Sequence, residues 1–374
     1  MKTKPEWAQD INNSNFASEV VSGVDSIHDG INPQNNIKSI LNTKKIPDLS
    51  VFKNEIIDQN RTILAQAITL IESNAEKHFE IAQNLITELL PYSGKSIRIG
   101  ITGSPGAGKS TFIEIFGTAL CNSGHKVAVL AIDPSSTISR GSILGDKTRM
   151  ENLARHKNAF IRPSPSAGNL GGVARKTRET IILCEAAGFD IIIIETVGVG
   201  QSEITVRSMV DFNLLLLLPL AGDELQGIKK GTVEIADALV INKADGDNLI
   251  KANITKENYK QALHYLYPTN SFWITKVVTC SALNETGINE IWEMINEYTN
   301  IAKENNYFEI LRINQQKEWF KYLIEEELKA RFYNSDKIKS LISTTEKRII
   351  ESDISPTKAS KELIDKFLNS KNII

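Results

Sequence analysis

Gly103-Ser104-Pro105-Gly106-Ala107-Gly108-Lys109-Ser110-Thr111 carries the spacing G-x-x-x-x-G-K-[ST] without a gap. Glycines at these positions let the backbone curl so that successive N–H groups face phosphate oxygens. A helix opening at the lysine adds the partial positive charge of its N-terminus. Lys109 can then reach the β- and γ-phosphates of a nucleotide, and the Ser110 hydroxyl can sit on Mg²⁺. Without nucleotide, Lys109 is expected to be a solvent-facing charge.

A second group chooses the base. Asn242-Lys243-Ala244-Asp245 follows the apolar run Ala238-Leu239-Val240-Ile241. A carboxylate at Asp245 can accept from guanine N1–H and from the exocyclic amine, whereas adenine would leave that buried charge unpaired. The Lys243 stem can lie over the base, and Asn242 can tie this loop to the phosphate loop. Downstream, Ser281-Ala282-Leu283 at another strand end would put a backbone N–H against the guanine oxygen.

Acids form the third group. Ile191-Ile192-Ile193-Ile194 leads into Glu195-Thr196-Val197-Gly198, a hydrophobic strand with an acid at its tip and a glycine three residues on. Glu195 can hold Mg²⁺ directly or through water. Gly198 can offer its N–H to a γ-phosphate, within a segment whose position would follow that phosphate. Asp133 and Asp146 are further candidates for the metal shell or for positioning water, with helix capping as the alternative for each.

These residues need a parallel sheet to bring them together. Near-continuous apolar runs predict strands over Ile97–Thr102, Val127–Ile132, Phe160–Pro163, Ile191–Glu195, Asn213–Leu218, Ala238–Asn242 and Val277–Ser281. Strands buried on both faces and alternating with helical patterns imply an α/β fold, mainly parallel, with ligands beyond the carboxyl ends. Helices are expected before the sheet, closed by Pro91, and after it over Ile288–Ala302, Gln315–Phe332 and Lys337–Glu351. Ser355-Pro356 opens a last one, with Ser as N-cap and Pro at the first helical position. The expected division is a flexible arm over 1–53, N-terminal helices over 54–95, a nucleotide domain over 96–306 and a helical dimerisation region over 307–374.

Composition excludes several classes. The 374 residues carry a net charge of −2, with no basic surplus to suggest nucleic acid. Three cysteines without C-x-x-C spacing suit a reducing compartment. None of the five histidines pairs at metal-ligand spacing, so neither zinc nor nickel is expected. No apolar run reaches membrane-spanning length. The first 60 residues have neither arginine nor an apolar signal core, so the cytoplasm is the expected location.

Together these residues resemble the methylmalonyl-CoA mutase-associated GTPases, the MeaB/ArgK family of P-loop GTPases in the signal-recognition and nickel-insertion class. The resemblance runs from about Arg61 to Leu368. It is carried by Ala67–Ser73, Gly100–Glu114, Asp133–Ser136, Gly141–Met150, Leu170–Glu179, Glu195–Glu203, Gly222–Gly231 and Asn242–Asp245. Thr137-Ile138-Ser139-Arg140 departs from it, standing where members often have smaller, glycine-bearing residues, and the first 50 or so residues match nothing in the family.

The resemblance implies a homodimeric GTPase that converts GTP to GDP and phosphate. It would act as a chaperone of an adenosylcobalamin-dependent methylmalonyl-CoA mutase, gating cofactor loading and protecting the mutase. It further implies Mg²⁺ surrounded by Ser110, Asp133, Asp146 and Glu195, catalysis resting on Lys109, Asp146 and Glu195, and a partner-sensing switch over Gly222–Lys230. The ArgK name carries an alternative, a nucleotide-dependent kinase or ATPase of a lysine/arginine/ornithine transport system.

Overall fold

The computed structural model describes residues 48–133, 150–165, 170–196, 202–219, 230–264 and 272–369. Among the described residues three helices precede the sheet: α1 (Leu49–Ile57), α2 (Arg61–Glu72) and α3 (Glu76–Leu89). Asn60 caps α2, its Oδ1 accepting from the backbone N–H groups of Thr62 and Ile63. Leu64, Ala67, Ile68 and Ile71 recur at helical spacing and are the buried stripe of that helix. Pro91 follows in a short 3₁₀ turn, where α3 ends.

Among the described residues the sheet has seven parallel strands in the order β3-β2-β4-β1-β5-β6-β7. They span β1 (Ile97–Gly103), β2 (Val127–Asp133), β3 (Ala159–Pro165), β4 (Ile191–Thr196), β5 (Phe212–Leu217), β6 (Ala238–Ile241) and β7 (Lys276–Thr279). Each expected strand is present within two residues of its predicted ends. Between them run α4 (Lys109–Asn122), α5 (Glu151–Arg155), α6 (Leu170–Ala186), α7 (Ser202–Arg207), α8 (Lys230–Glu234) and α9 (Asn248–His264).

Strand β4 shows why the runs are continuous rather than alternating. Ile191 and Ile193 join the apolar cluster of Phe112, Phe116 and Phe212 on one face, while Ile192 and Ile194 join that of α1–α3 and α6 on the other. Each is at most 1% exposed, a burial that contributes about 1.5–3 kcal/mol per side chain.

After the sheet come α10 (Ile288–Glu304), α11 (Tyr307–Asn334), α12 (Asp336–Ile350) and α13 (Pro356–Asn369). Helix α11 begins eight residues before the expected Gln315. Its opening turns are held by polar contacts at the amino edge of the sheet, which hydrophobic periodicity does not register. Arg312 forks onto both oxygens of Asp211, at 2.8 and 2.7 Å, and reaches the carbonyls of Gly94 and Ser96, both at 2.6 Å. Gln315 donates to the carbonyl of Val210 at 2.7 Å. Among the described residues no helix is long and apolar enough to cross a membrane.

Candidate functional site

Among the described residues, those singled out for chemistry gather at the carboxyl ends of the strands, where a ligand site in an open α/β sheet forms. Strand β1 ends in Gly103, and the loop to Gly108 delivers Lys109 and Ser110 to the first turn of α4. Gly108 has φ +88°, and a Cβ there would meet Asn242 Nδ2 at 2.7 Å. A side chain at 108 would therefore be strained and would also push out the neighbouring loop.

That neighbour is the Asn242–Asp245 loop, expected from its sequence to choose the base. Asn242 is 1% exposed and bonds in three directions. Its Nδ2 donates to the Ala107 carbonyl at 2.9 Å. Its Oδ1 accepts from the Ala282 N–H at 3.2 Å and from Cys280 Sγ at 3.5 Å. Burial pushes the Cys280 thiol up to about 12, so it stays protonated and can donate. One amide thus joins the phosphate loop, the strand end after β6 and the strand end after β7. Lys243 takes a left-handed backbone, φ +58°, and the Ala244 N–H closes on the Cys280 carbonyl at 3.0 Å. The Ser281 hydroxyl donates to Asp245 Oδ2 and accepts from the Asn284 N–H at 3.1 Å. The Ser281 hydroxyl therefore holds the Asp245 carboxylate in one orientation. Leu283 is 79% exposed beside it.

Lys109 departs from expectation. It is buried, 8% exposed, and its Nζ donates to the Gly103 carbonyl at 2.8 Å and the Ser104 carbonyl at 3.1 Å. The ammonium folds onto its own loop because the backbone carbonyls there replace the water it loses. Burial lowers its pKa from 10.5, with Glu195 and Glu203 pulling the other way.

Ser110 Oγ donates to Glu195 Oε1 at 3.0 Å. The strand-tip acid and the loop hydroxyl, 85 residues apart in sequence, thus converge on one point. Two hard oxygen donors beside a phosphate-binding loop suit a small hard cation such as Mg²⁺, which takes few protein ligands and keeps phosphate and water oxygens. Among the described residues no three His, Cys, Asp or Glu side chains gather around a common point. Asp133 closes β2 on the same edge, paired in register with Pro165, and its side chain lies outside the described set. Asp146, Gly198 and Gly222–Lys229 also lie outside the described residues.

Glu114 was not singled out from sequence. One turn after Ser110, this 7% exposed carboxylate accepts from the N–H groups of Asn152, at 2.8 Å, and Leu153, at 3.2 Å. It caps α5 and so ties the chain just beyond Asp146 to the phosphate-loop helix. Its signal was a lone charge inside the apolar run Phe112-Ile113-Glu114-Ile115-Phe116.

The chain is similar to several known proteins. A family model described as Methylmalonyl Co-A mutase-associated GTPase MeaB matches residues 64–337. A putative GTPase of Caulobacter vibrioides is 48% identical over 320 residues, covering 86% of this chain and 98% of that protein. The mitochondrial methylmalonic aciduria type A homolog of Mus musculus is 44% identical over 322 residues, covering 83% of this chain and 78% of its own. A crystal structure of an LAO/AO transport system kinase superposes with a TM-score of 0.71 at 38% identity, over 86% of this chain and 99% of that one.

Proposed function

This chain belongs to the family of methylmalonyl Co-A mutase-associated GTPases described by MeaB and is a GTP-binding GTPase; from that premise we propose that it serves an adenosylcobalamin-dependent methylmalonyl-CoA mutase, gating cofactor loading and protecting the mutase. The family description and the methylmalonic aciduria name of the mouse relative support that partner.

The observation that carries the nucleotide assignment is the Asn242 bridge to Ala107 and Ala282. It ties the loop proposed to hold the phosphates to the loop proposed to read the base, which would supply the preorganisation that selective binding needs. In the proposed site, backbone N–H groups from Gly103 to Thr111 hold the phosphates. Lys109 leaves the Gly103 and Ser104 carbonyls for the β- and γ-phosphates, exchanging neutral acceptors for charged ones. Asp245 reads the guanine edge, Lys243 covers the base, and Ser281 to Leu283 close on its oxygen. Ser110 and Glu195, with Asp133 and Asp146 as the remaining acids, would hold Mg²⁺. When bound, that ion supplies charge neutralisation on the β- and γ-phosphate oxygens.

A homodimer joined through the C-terminal helices completes the proposal. Phe320, Ile324 and Leu328 on α11 and Leu368 on α13 are 43–65% exposed in a single chain, an apolar surface suited to a second copy. A cytoplasmic location fits the same assignment. An ATP-using transport kinase would gain nothing from a carboxylate preset at Asp245, since adenine cannot donate to it in that geometry.

The test is calorimetry with GTP, GDP and ATP, followed by pulldown of purified methylmalonyl-CoA mutase in each nucleotide state. Guanine preference with nucleotide-dependent mutase capture is expected. Guanine preference without capture would leave the GTPase and remove the mutase as its partner.

A further inference from the structure

At the opposite edge of the sheet from the nucleotide site, a cavity of about 40 Å³ opens between α6, the turn after α7 and the first turns of α11. Three arginines line it: Arg98, Arg178 and Arg312. Two of them are matched. Arg98 forks onto Glu185, both contacts at 3.0 Å, and Arg312 forks onto Asp211. Arg178 is different. Its guanidinium donates to the Ser208 carbonyl and hydroxyl oxygens, both at 2.7 Å, and these are neutral. The Ser208 hydroxyl spends its own proton on the Thr205 carbonyl. Exposed Glu318 attracts Arg178 through space but forms no ion pair with it. Three cations thus face two contacting carboxylates.

A second observation points into the same space. Trp319 lines the cavity, and its indole N–H is buried without an acceptor. The Arg178 guanidinium lies over that indole ring, 5.4 Å from its centre. A buried N–H donor left without an acceptor is destabilising, and a half-buried cation served only by neutral acceptors adds to it. Burial, with Arg98 adding to it, pushes the Arg178 guanidinium down to about 10. An acceptor carrying negative charge would relieve both groups at once. The volume suffices for one small oxyanion or for about three to four waters, at about 10–15 Å³ each.

We propose that this cavity is a binding site for a small oxyanion, inorganic phosphate or the carboxylate of a small molecule, held by Arg178 and the Trp319 indole N–H. The site is separate from the nucleotide loop. Arg98 and Gly103 are five residues apart along β1, roughly 17 Å of extended strand. The anion would also tie α11 to α6, because Trp319 and Arg178 come from those two helices. Its occupancy therefore strengthens the seating of the C-terminal helices.

The experiment uses the full chain labelled with 5-fluorotryptophan, its Trp319 fluorine resonance assigned by Trp319→Phe, with GDP in excess to keep the phosphate loop filled. Sodium phosphate and sodium acetate are titrated separately at constant ionic strength against sodium chloride. A saturating shift of the Trp319 resonance is expected with at least one probe, and the stronger probe identifies the source class. Arg178→Gln should weaken that binding about tenfold or more, the worth of a charged hydrogen bond, and Arg178→Lys should weaken it less. Equal, non-saturating shifts with all three salts in the wild-type chain overturn the proposal without recourse to any variant. So does undiminished binding in folded Arg178→Gln. A resonance that moves with protein concentration and ignores the probes would mean that a second copy covers the cavity, which also overturns it.

Discussion

Lys109 Nζ donates to the carbonyl oxygen of Gly103 at 2.8 Å, so the cation of the phosphate loop is held by the loop that a nucleotide would have to open. Burial keeps its pKa below 10.5 in this state. The unfolded chain therefore holds this proton more tightly than the folded one. Stability from this group rises with pH in the window below 10.5 and is lost as pH falls through the lowered folded value. A triphosphate beside the ammonium reverses the bias, so GTP binding takes up protons at alkaline pH. Calorimetry at about pH 9.5, in two buffers of different ionisation enthalpy, should show that uptake. Lys109→Ala should abolish it and lower GTP affinity about a hundredfold or more, from the loss of charge-assisted contacts. Unchanged GTP affinity would remove the phosphate-loop assignment.

The Ser281 hydroxyl holds Asp245 in place, and each residue makes a separable prediction. Ser281→Ala leaves the carboxylate but frees its rotamer. GTP affinity should fall about tenfold, the worth of one hydrogen bond to a charged group, and discrimination against ATP should narrow. Asp245→Asn replaces an acceptor by a group that also donates, so xanthosine triphosphate should become the preferred ligand. Competition binding with the three triphosphates checks both. A wild-type preference for ATP would contradict the base-reading role outright.

Arg312 and Asp211 predict a stability effect far from the nucleotide. The Asp211 side chain is 1% exposed, and Arg312 supplies both of its charged contacts. Arg312→Leu should cost about 3–5 kcal/mol in urea unfolding, because a buried carboxylate is left without its cation. Lys317→Ala, on the exposed face of the same helix, should stay within about 0.5 kcal/mol. Equal losses in the two variants would mean that the fork is not what seats α11.

The strands and the nucleotide constellation were legible because each imposes a local pattern. Burial on both faces forces apolar runs such as Ile191–Ile194, and the phosphate and base loops demand fixed residue types at fixed offsets. The Asn242 bridge to Ala107 spans 135 residues and was still anticipated, since both ends lie in recognisable loops. Arg312 left no such mark. Its partners are 101, 216 and 218 residues away, and two of them are backbone carbonyls, which any residue could provide. The resting place of Lys109 was missed for the same reason. The motif names the side chain that meets phosphate, but the carbonyls that hold it otherwise carry no side-chain signature.

Glu195 and Ser110 carry the metal prediction. Their contact at 3.0 Å places a 5% exposed carboxylate and a hydroxyl at one point beside the phosphate loop. Glu195→Gln keeps an oxygen that can accept from Ser110 and removes the negative charge. The loop should therefore stay formed and GDP should bind nearly as before, while attraction for a divalent cation drops. The Mg²⁺ concentration that half-saturates GTP hydrolysis should rise about 10–100-fold, the usual cost of losing a group that ligates or orients a metal shell. Ser110→Ala should raise it as well. If the two act as a unit, the double variant should be little worse than the poorer single one. Single-turnover hydrolysis across a MgCl₂ series measures all three. An unshifted Mg²⁺ midpoint in Glu195→Gln would take this acid out of the metal shell and leave that work to Asp133 and Asp146.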